Sequence, residues 1–312
     1  MQDIIPAVDP RLLKAELNDS TFLRRTNNGN NEIYVINWEN APNTLREIGR
    51  LREITFRDAG GGTYKETDID NYDLCEEPFQ QLIVWNPRDE EIVGGYRFKL
   101  GKYLKLDEKG YVQSPSGKLF RFSERFINEF LPNIVELGRS FVQPNYQPSN
   151  NIRSGMYSLD NLWDGLGAIV VDNPEIHYFF GKFTMYPHYN PLARNLILYF
   201  LNYYFPDKDA LAEPFDKLKT AINTPLMQAI FTGSSYEENY KILVREVRAL
   251  KENIPPLVNA YMNLSSTMRT FGTAVNRGFG DAEETGILVT IGDIYEKKKI
   301  RHLDTYKPEN PD

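Results

Sequence analysis

A carboxylate and a guanidinium group lie inside a segment that otherwise has the composition of a buried β-strand. The segment Val135–Val142 consists mostly of valine, leucine and phenylalanine, but it also contains Glu136 and Arg139. Such an apolar run predicts a strand with little exposure to water. Glutamate and arginine are almost never fully buried unless they are paired or used in function. The two residues are therefore either a structural ion pair or part of an active site.

Gly138 stands between the two charged residues and bears on the direction in which each of them points. With strict alternation along a strand, Glu136 and Arg139 face opposite sides of the sheet. A glycine inside a strand often marks a β-bulge, which would shift the alternation and bring both side chains to one face. A bulge would also turn a backbone N–H outward beside the carboxylate. This arrangement can polarise a thioester or ester carbonyl and accept a proton from an amine.

A second charged group is the acidic run Asp68, Asp70 and Asp73. Closely spaced carboxylates can bind calcium, although this run lacks the glycine and the distal glutamate of an EF-hand loop. A solvated acidic loop is the second interpretation. The third is that one or two of these carboxylates hold Arg52 or Arg97, or the ammonium group of a substrate.

Two arginines near this run have neighbours that suit a cleft. Arg97 follows the pair Gly94-Gly95, where a backbone or a ligand can approach closely because glycine has no side chain. Arg52 lies one helical turn before Phe56, so both side chains could line one end of the same cleft.

The composition excludes several classes of function. Thirty-six basic and 43 acidic residues in a chain of 312 give a net charge of −7, which argues against nonspecific binding to nucleic acid. The single cysteine, Cys75, excludes an internal disulfide, and a reducing cytoplasm is expected. The three histidines are too far apart for the usual zinc patterns, so no metal is expected. Signal peptides, membrane-spanning segments, the dinucleotide fingerprint, the Walker loop and the nucleophile elbow are all missing from the sequence.

Hydrophobic periodicity predicts a mixed order of strands and helices. Strands are predicted over 32–38, 82–85, 91–100, 134–142, 177–185, 268–279 and 285–294. Helices are predicted over 44–57, 123–130, 158–171, 191–205 and 255–264. Antiparallel strands come first and helix-separated strands follow, which favours a single α/β sheet domain over a doubly wound fold. Residues 1–31 are predicted to be a loosely attached N-terminal arm, 32–312 the single domain, and 207–253 a helical-hairpin insertion.

Four motifs, taken in order, resemble a known enzyme family. They are Arg52-Glu-x-x-Phe56, Asp68-x-Asp70-x-x-Asp73, Gly95-Tyr-Arg97 and Glu136-Leu-Gly-Arg139-Ser140. Together they resemble the ornithine-lipid and glycine-lipid acyl-ACP N-acyltransferases, which are often labelled hemolysins and are related to the acyl-homoserine-lactone synthases. The resemblance is strongest over residues 32–150. It implies a GNAT-like fold of α/β (α+β) class, with a mixed, mostly antiparallel central sheet flanked by helices.

The resemblance also implies an activity and a set of site residues. The enzyme would move a (3-hydroxy)fatty acyl group from acyl-ACP to the amine of glycine or ornithine, in aminolipid synthesis. Glu136 and Arg139 would be catalytic, with Glu136 as the general base. The substrate-binding residues would be Arg52, Phe56, Asp70, Asp73, Arg97 and Ser140. Arg52 and Phe56 would lie near the acyl-phosphopantetheine arm. Many relatives carry histidine where this chain has Gln81.

The resemblance extends to partners. The donor would be acyl-phosphopantetheine on acyl carrier protein, in preference to acyl-CoA, and no separate cofactor is expected. An acidic carrier protein needs a basic docking patch, for which the candidates are Lys99, Lys102 and Lys105, or Arg46, Arg50 and Arg57. The segment 143–155 follows the strand that carries Glu136, and an acetyltransferase would bind a pyrophosphate there. The sequence of this segment is only a weak match to a phosphate-binding motif.

Two other functions remain open at this point. The same fold could make a diffusible N-acyl amino acid or lactone signal, or it could be a noncatalytic protein that binds acyl chains or lipids. The apolar stretch Leu196–Phe205 is predicted to be a core helix, with membrane contact as the alternative. The expected location is therefore cytoplasmic, with peripheral contact at the inner face of the membrane where a lipid product would leave.

Overall fold

The computed structural model describes residues 1–147, 155 and 157–308. These residues belong to two units. The first unit comprises Met1–Leu104, Pro132–Phe179 and Tyr295–Asp312, and the second comprises Lys105–Leu131 and Phe180–Ile294. Both units combine antiparallel strands with helices, so the predicted mixed α/β class is confirmed.

The elements follow the predicted order closely. The strands are β1 (Phe22–Arg25), β2 (Glu32–Ile36), β3 (Gln80–Asn86), β4 (Glu91–Leu100), β5 (Phe120–Phe122), β6 (Ile134–Val142), β7 (Tyr178–Met185), β8 (Ala212–Pro214), β9 (Arg269–Asn276) and β10 (Ala282–Thr290). The α-helices are α1 (Pro10–Glu16), α2 (Pro42–Asp58), α3 (Asn71–Leu74), α4 (Ser158–Asp172), α5 (Pro191–Tyr204), α6 (Thr224–Ile230), α7 (Tyr236–Ala249), α8 (Pro256–Met262) and α9 (Glu296–His302). The helix predicted over 123–130 contains a π-helical turn at Phe126–Phe130.

The first unit is built on strands in the order β1-β2-β3-β4-β6. Each neighbouring pair of these strands is antiparallel. The hairpin of β3 and β4 has Gln81 opposite Arg97, and β4 continues the ladder to β6 with Lys99 opposite Glu136. Residues directly opposite each other in an antiparallel pair point to the same face. The register therefore places Gln81, Arg97 and Glu136 on one face of the sheet.

Helix α2 contacts strand β6. Leu45, Ile48 and Leu51 are buried, as expected for apolar residues that recur at intervals of three along a helix. Pro42 begins the helix, where its missing N–H costs no hydrogen bond. The helix also buries Arg52, which places a guanidinium group beneath the site described below.

The predicted N-terminal arm is folded into the first unit. It contains α1 and β1, and β1 pairs with β2 with Arg25 opposite Glu32. The Glu16 carboxylate accepts hydrogen bonds from the backbone N–H of Asn43 at 3.0 Å and of Thr44 at 2.7 Å. These bonds satisfy two amides at the start of α2. The expected loose attachment is therefore corrected, whereas the assignment of 32–312 as one domain stays a prediction.

In the second unit, β10 lies between β7 and β9, and β5 pairs separately with β8. Part of the predicted insertion, 207–253, forms helices α6 and α7 on either side of a Thr-Gly-Ser-Ser turn, with β8 preceding them. Helix α5 buries Leu196, Ile197 and Phe200, which favours its interpretation as a core helix. Within the described ranges, no helix combines the length and the apolar character needed to cross a bilayer.

Gly94 on β4 lies so close to β6 that a side chain would not fit. A Cβ atom at Gly94 would collide with the backbone oxygen of Phe141, and that oxygen cannot move without disturbing the ladder. We expect Gly94→Ala to lower the free energy of unfolding by about 2 kcal/mol, the usual scale of overpacking. Urea unfolding measures this change.

The control is Gly292→Ala, because a Cβ at Gly292 would meet no heavy atom of the described residues within 4 Å. A Gly94→Ala protein as stable as the control would show that β4 and β6 can separate at no cost.

Candidate active site

Strand β6 contains a β-bulge that begins at the second of its two charged residues. In the ladder with β4, Arg97 is opposite Gly138 and Gly95 is opposite Phe141, so one residue of β4 faces two residues of β6. These two residues are Arg139 and Ser140, and one of them is extra. Arg139 has a φ of 48°, in the left-handed region that non-glycine residues rarely adopt. The predicted bulge is present, but Arg139 rather than Gly138 adopts the unusual backbone conformation.

The bulge brings Arg139 to the face of the sheet that carries Arg97. The Arg139 Nε atom lies 2.8 Å from Asp68 Oδ2, and the Arg139 Nη2 atom lies 3.9 Å from Asp70 Oδ2. Arg97 reaches the other oxygen of Asp70 at 2.8 Å. Because both arginines meet the same carboxylate, Glu136 and Arg139 lie on one side of the sheet. The predicted sharing of one face by Glu136 and Arg139 is therefore confirmed, whereas their catalytic roles stay a prediction.

The acidic run forms a short, internally bonded turn that includes α3. Asp70 caps α3, with its side chain accepting a hydrogen bond from the Tyr72 N–H at 2.9 Å. Asp73 closes the capping box by accepting from the Asp70 N–H at 3.0 Å. These two bonds hold both carboxylates at fixed positions over the sheet. Asp68 and Asp73 are buried, so the alternative of a solvated acidic loop is wrong for these two residues.

Asp73 links two buried arginines. It lies 3.5 Å from Arg52 Nη1 and 3.1 Å from Arg97 Nη1, and all three side chains are almost completely buried. Gln81 completes the group, since its amide nitrogen donates to Asp73 at 2.9 Å and its oxygen accepts from Arg52. The interpretation that the carboxylates hold Arg52 and Arg97 is therefore confirmed. Burying such charges is tolerated only when each has close partners.

The pKa values of the two buried aspartates are shifted in opposite directions. Burial alone would raise the pKa of the Asp73 carboxyl, but Arg97 and Arg52 outweigh it and hold the pKa below its ordinary value of 3.8. For Asp68, burial is the larger effect and raises the pKa despite the opposing charge of Arg139. Burial and the charges of Glu136 and Asp70 raise the pKa of Tyr72 to about 12. The Tyr72 hydroxyl therefore stays protonated beside the site at neutral pH.

Solvent exposure divides the predicted site residues into two groups. Arg52, Asp73 and Arg97 are buried within the ion pairs. The Asp70 side chain is 33% exposed and that of Arg139 is 16% exposed, and Ser140 is also partly exposed. Phe56 is buried, with the Arg139 guanidinium 6.0 Å from the centre of its ring. A small molecule can touch the second group directly, whereas it meets the first only through their neighbours.

Comparisons with known proteins identify the family of the chain. Residues 51–155 match the model of an acetyltransferase (GNAT) domain. The chain is 52% identical over its whole length to the glycine Nα-acyltransferase of Phocaeicola vulgatus, covering 96% of that protein. It is also 52% identical over its whole length to the glycine Nα-acyltransferase of Bacteroides thetaiotaomicron, covering 93% of that protein. The chain belongs to this acyltransferase family.

Two solved structures are more distant. A CoA-dependent acyl-homoserine lactone synthase with MTA has a TM-score of 0.37 and 12% identity, over 88% of this chain and 86% of that one. The acyl-homoserine lactone synthase LasI has a TM-score of 0.36 and 12% identity, over 89% of this chain and 96% of that one.

The membership predicted from the four motifs is confirmed by the relatives at 52% identity, and the protein is an N-acyltransferase.

Two residues of this N-acyltransferase site were not assigned roles from the sequence. Gln81 was noted only as a departure from histidine, yet it bonds both Arg52 and Asp73. Its place opposite Arg97 in the β3–β4 hairpin would have shown that it shares the face of the site. Tyr72, between two of the aspartates, has the Arg97 guanidinium 5.8 Å from its ring centre. The sequence does not indicate this contact, because Tyr72 and Arg97 lie in different elements, α3 and β4.

The basic residues predicted to dock the carrier protein differ in exposure and in their ion-pair partners. Arg50 and Arg57 pair with Glu47 and Glu53 on α2, and neither is fully exposed. Arg46 on the same helix is exposed. Among the lysines, Lys102 pairs with Glu175 at 2.6 Å. Most of the segment 143–155 predicted as a pyrophosphate cradle lies outside the described residues.

Removing the charge of Asp73 should destabilise this acyltransferase, because Arg52 and Arg97 would lose the carboxylate between them. We expect Asp73→Asn to lower the free energy of unfolding by about 3 kcal/mol near neutral pH. The folded state lowers the pKa of Asp73, so its contribution is complete above about pH 4 and is lost as the pH falls through the folded value. The difference between wild type and variant should shrink below pH 4.

Urea unfolding at a series of pH values measures both effects. Asp304→Asn is the matched control, because Asp304 is exposed. A difference that stays constant down to about pH 3 would contradict the assigned role of the Asp73 charge.

Proposed function

We propose that this enzyme transfers a fatty acyl group from a thioester to the amine of glycine. The observation that carries the proposal is the bulge in β6, which places Glu136 and Arg139 on the same face as Arg97. A carboxylate beside an interrupted strand ladder supplies a proton acceptor and backbone N–H donors at one place. Glycine as the acceptor is supported by the names of the two relatives at 52% identity.

The proposed reaction has two proton movements and one bond exchange. Glu136 takes a proton from the glycine ammonium, and the neutral amine attacks the carbonyl carbon of the acyl thioester. An N–H of the bulge donates to the oxyanion that forms on the carbonyl oxygen. The C–S bond then breaks, and the leaving thiolate takes the second proton that the nitrogen loses. The products are N-acylglycine and a free thiol.

The roles of the other residues follow from their exposure. Arg52, Asp73 and Arg97 are buried, so in this proposal they are positioning residues that hold α2, α3 and β4 in place. Asp70 and Arg139 are partly exposed and are the charged groups available to a substrate. This differs from the substrate-binding role that the resemblance implies for Arg52, because its side chain has no surface to offer.

The proposed donor is acyl-phosphopantetheine on acyl carrier protein. The four motifs resemble enzymes that use this donor, and an acidic carrier needs exposed cations near the site. Arg46 meets this need best among the arginines of α2, since Arg50 and Arg57 are engaged by glutamates of the same helix. Helix α2 also carries Phe56, which lies beside Arg139. A (3-hydroxy)acyl chain, a role in aminolipid synthesis and peripheral membrane contact remain parts of the proposal that follow from the resemblance.

Replacing the proposed base should stop the chemistry and leave the fold intact. Glu136→Gln keeps the size of the side chain but cannot accept a proton. We expect the rate of thiol release from the acyl donor in the presence of glycine to fall by about 10²- to 10⁴-fold. Thiol release and N-acylglycine formation are measured together, and circular dichroism checks the fold.

The control for this experiment is Glu39→Gln, because Glu39 is exposed. Glu136→Gln that turns over within about twofold of wild type would remove Glu136 from the role of base. Wild-type protein that acylates no amine at all would overturn the proposed function.

The choice of donor can be tested through Arg46. We expect wild type to use acyl-ACP with a higher kcat/KM than acyl-CoA of the same chain length. Arg46→Glu should raise the KM for acyl-ACP by about fivefold or more, because the carrier surface is acidic, and leave the KM for acyl-CoA unchanged. Equal effects on both donors would place Arg46 outside the carrier-binding surface. Steady-state kinetics at low ionic strength give the clearest difference.

A further inference from the structure

Gly138 is a glycine that neither the backbone nor the packing requires. Its φ lies outside the left-handed region, and a Cβ atom built on it would meet no heavy atom of the described residues within 4 Å. Gly95 on the neighbouring strand is different, since a Cβ there would lie 2.7 Å from the backbone oxygen of Leu82. Alanine at position 138 would fit, and it would avoid the entropic disadvantage of glycine in a strand. The described residues therefore leave space over Gly138 for a small molecule.

The position of this space ties it to the reacting groups. Gly138 is opposite Arg97 in the ladder and two residues from Glu136 on the same face. Side chains two residues apart along a strand are separated by about 7 Å. A small molecule over Gly138 would therefore be within reach of the Glu136 carboxylate. It would also lie next to Arg139, the first residue of the bulge.

Glu136 and Arg97, the neighbours of Gly138 on this face of the sheet, are buried, so the face is accessible at Gly138. Glu136 and Arg97 are each 2% exposed, whereas Gly138 and Arg139 are partly exposed. A molecule that approaches this face of β6 thus meets the backbone of Gly138 before it meets the Glu136 side chain. Because position 138 has no side chain, the described residues leave the space directly over it unfilled.

We propose that the space over Gly138 receives the amine and the α-carbon of the acceptor amino acid, so that Gly138 limits the size of the acceptor. This inference rests on the proposed function. The amine must lie within hydrogen-bond reach of its base, and the space over Gly138 is the open position beside Glu136 that meets this condition. The acyl donor approaches from the side of the bulge, where its carbonyl meets the N–H donors.

The test is Gly138→Ala, with Gly138→Val as a larger step. One added methyl group in a site that fits its ligand changes discrimination by about tenfold or more. We expect Gly138→Ala to raise the KM for glycine by about tenfold or more, and to leave the KM for the acyl donor within about twofold of wild type. Gly138→Val should abolish transfer to glycine. Gly138→Ala should unfold within about 2 °C of wild type, because its added Cβ meets no heavy atom of the described residues within 4 Å.

Gly292→Ala is the matched control, since a Cβ at Gly292 would also meet no heavy atom of the described residues within 4 Å. An unchanged KM for glycine in Gly138→Ala would overturn the inference and leave the proposed function standing. A raised KM for the donor alone would assign the space to the acyl thioester instead. A large fall in the melting temperature would show that the space is not open. Failure of wild type to acylate glycine, in the same assay, would remove the proposed function and the inference together.

Discussion

The carboxylate of Asp73, held between the guanidinium groups of Arg52 and Arg97, is the interaction on which the site depends. It joins three elements that are far apart in sequence: helix α2, helix α3 and strand β4. Each of these charges would be strongly destabilising alone in the interior, so the loss of one leaves the others with fewer partners. The geometry of the group fixes the acidic turn over one face of the sheet, and Gln81 forms hydrogen bonds with both Arg52 and Asp73.

The bulge in β6 is supported by the same acidic turn. A non-glycine residue in the left-handed region costs roughly 1–2 kcal/mol, and Arg139 pays this at a φ of 48°. Its guanidinium group is held 2.8 Å from Asp68 and lies beside the ring of Phe56. An ion pair with a buried carboxylate can offset a strain of this size. The conformation of the bulge thus depends on Asp68, whose backbone N–H donates to the Gly49 oxygen of α2 at 2.9 Å.

The sequence predicted the elements better than the contacts between them. Apolar residues at intervals of three placed α2 correctly, and alternation placed β3, β4 and β6, because these patterns are local. The glycine at position 138 correctly indicated a bulge, but the strained residue proved to be Arg139, since residue type alone does not assign φ. The partners of Arg52 could not be chosen from the sequence. Asp73 and Gln81 are more than twenty positions away from it, and only the folded register brings them together.

Stability alone would favour the opposite residue types at positions 138 and 139, namely a side chain at 138 and glycine at 139. A strand with a bulge here would be less strained with glycine at position 139, where φ is positive, and would gain from a side chain at position 138, where there is space. The chain instead places glycine where the backbone does not need it and arginine where the backbone is strained. Each departure lowers stability, and both serve the same face of β6. Arg139 directs a cation to the acidic turn, and Gly138 leaves a space beside the buried Glu136 side chain that the other described residues do not fill. The buried charges around Asp73 hold the rest of this face rigid enough for the strained arrangement to persist.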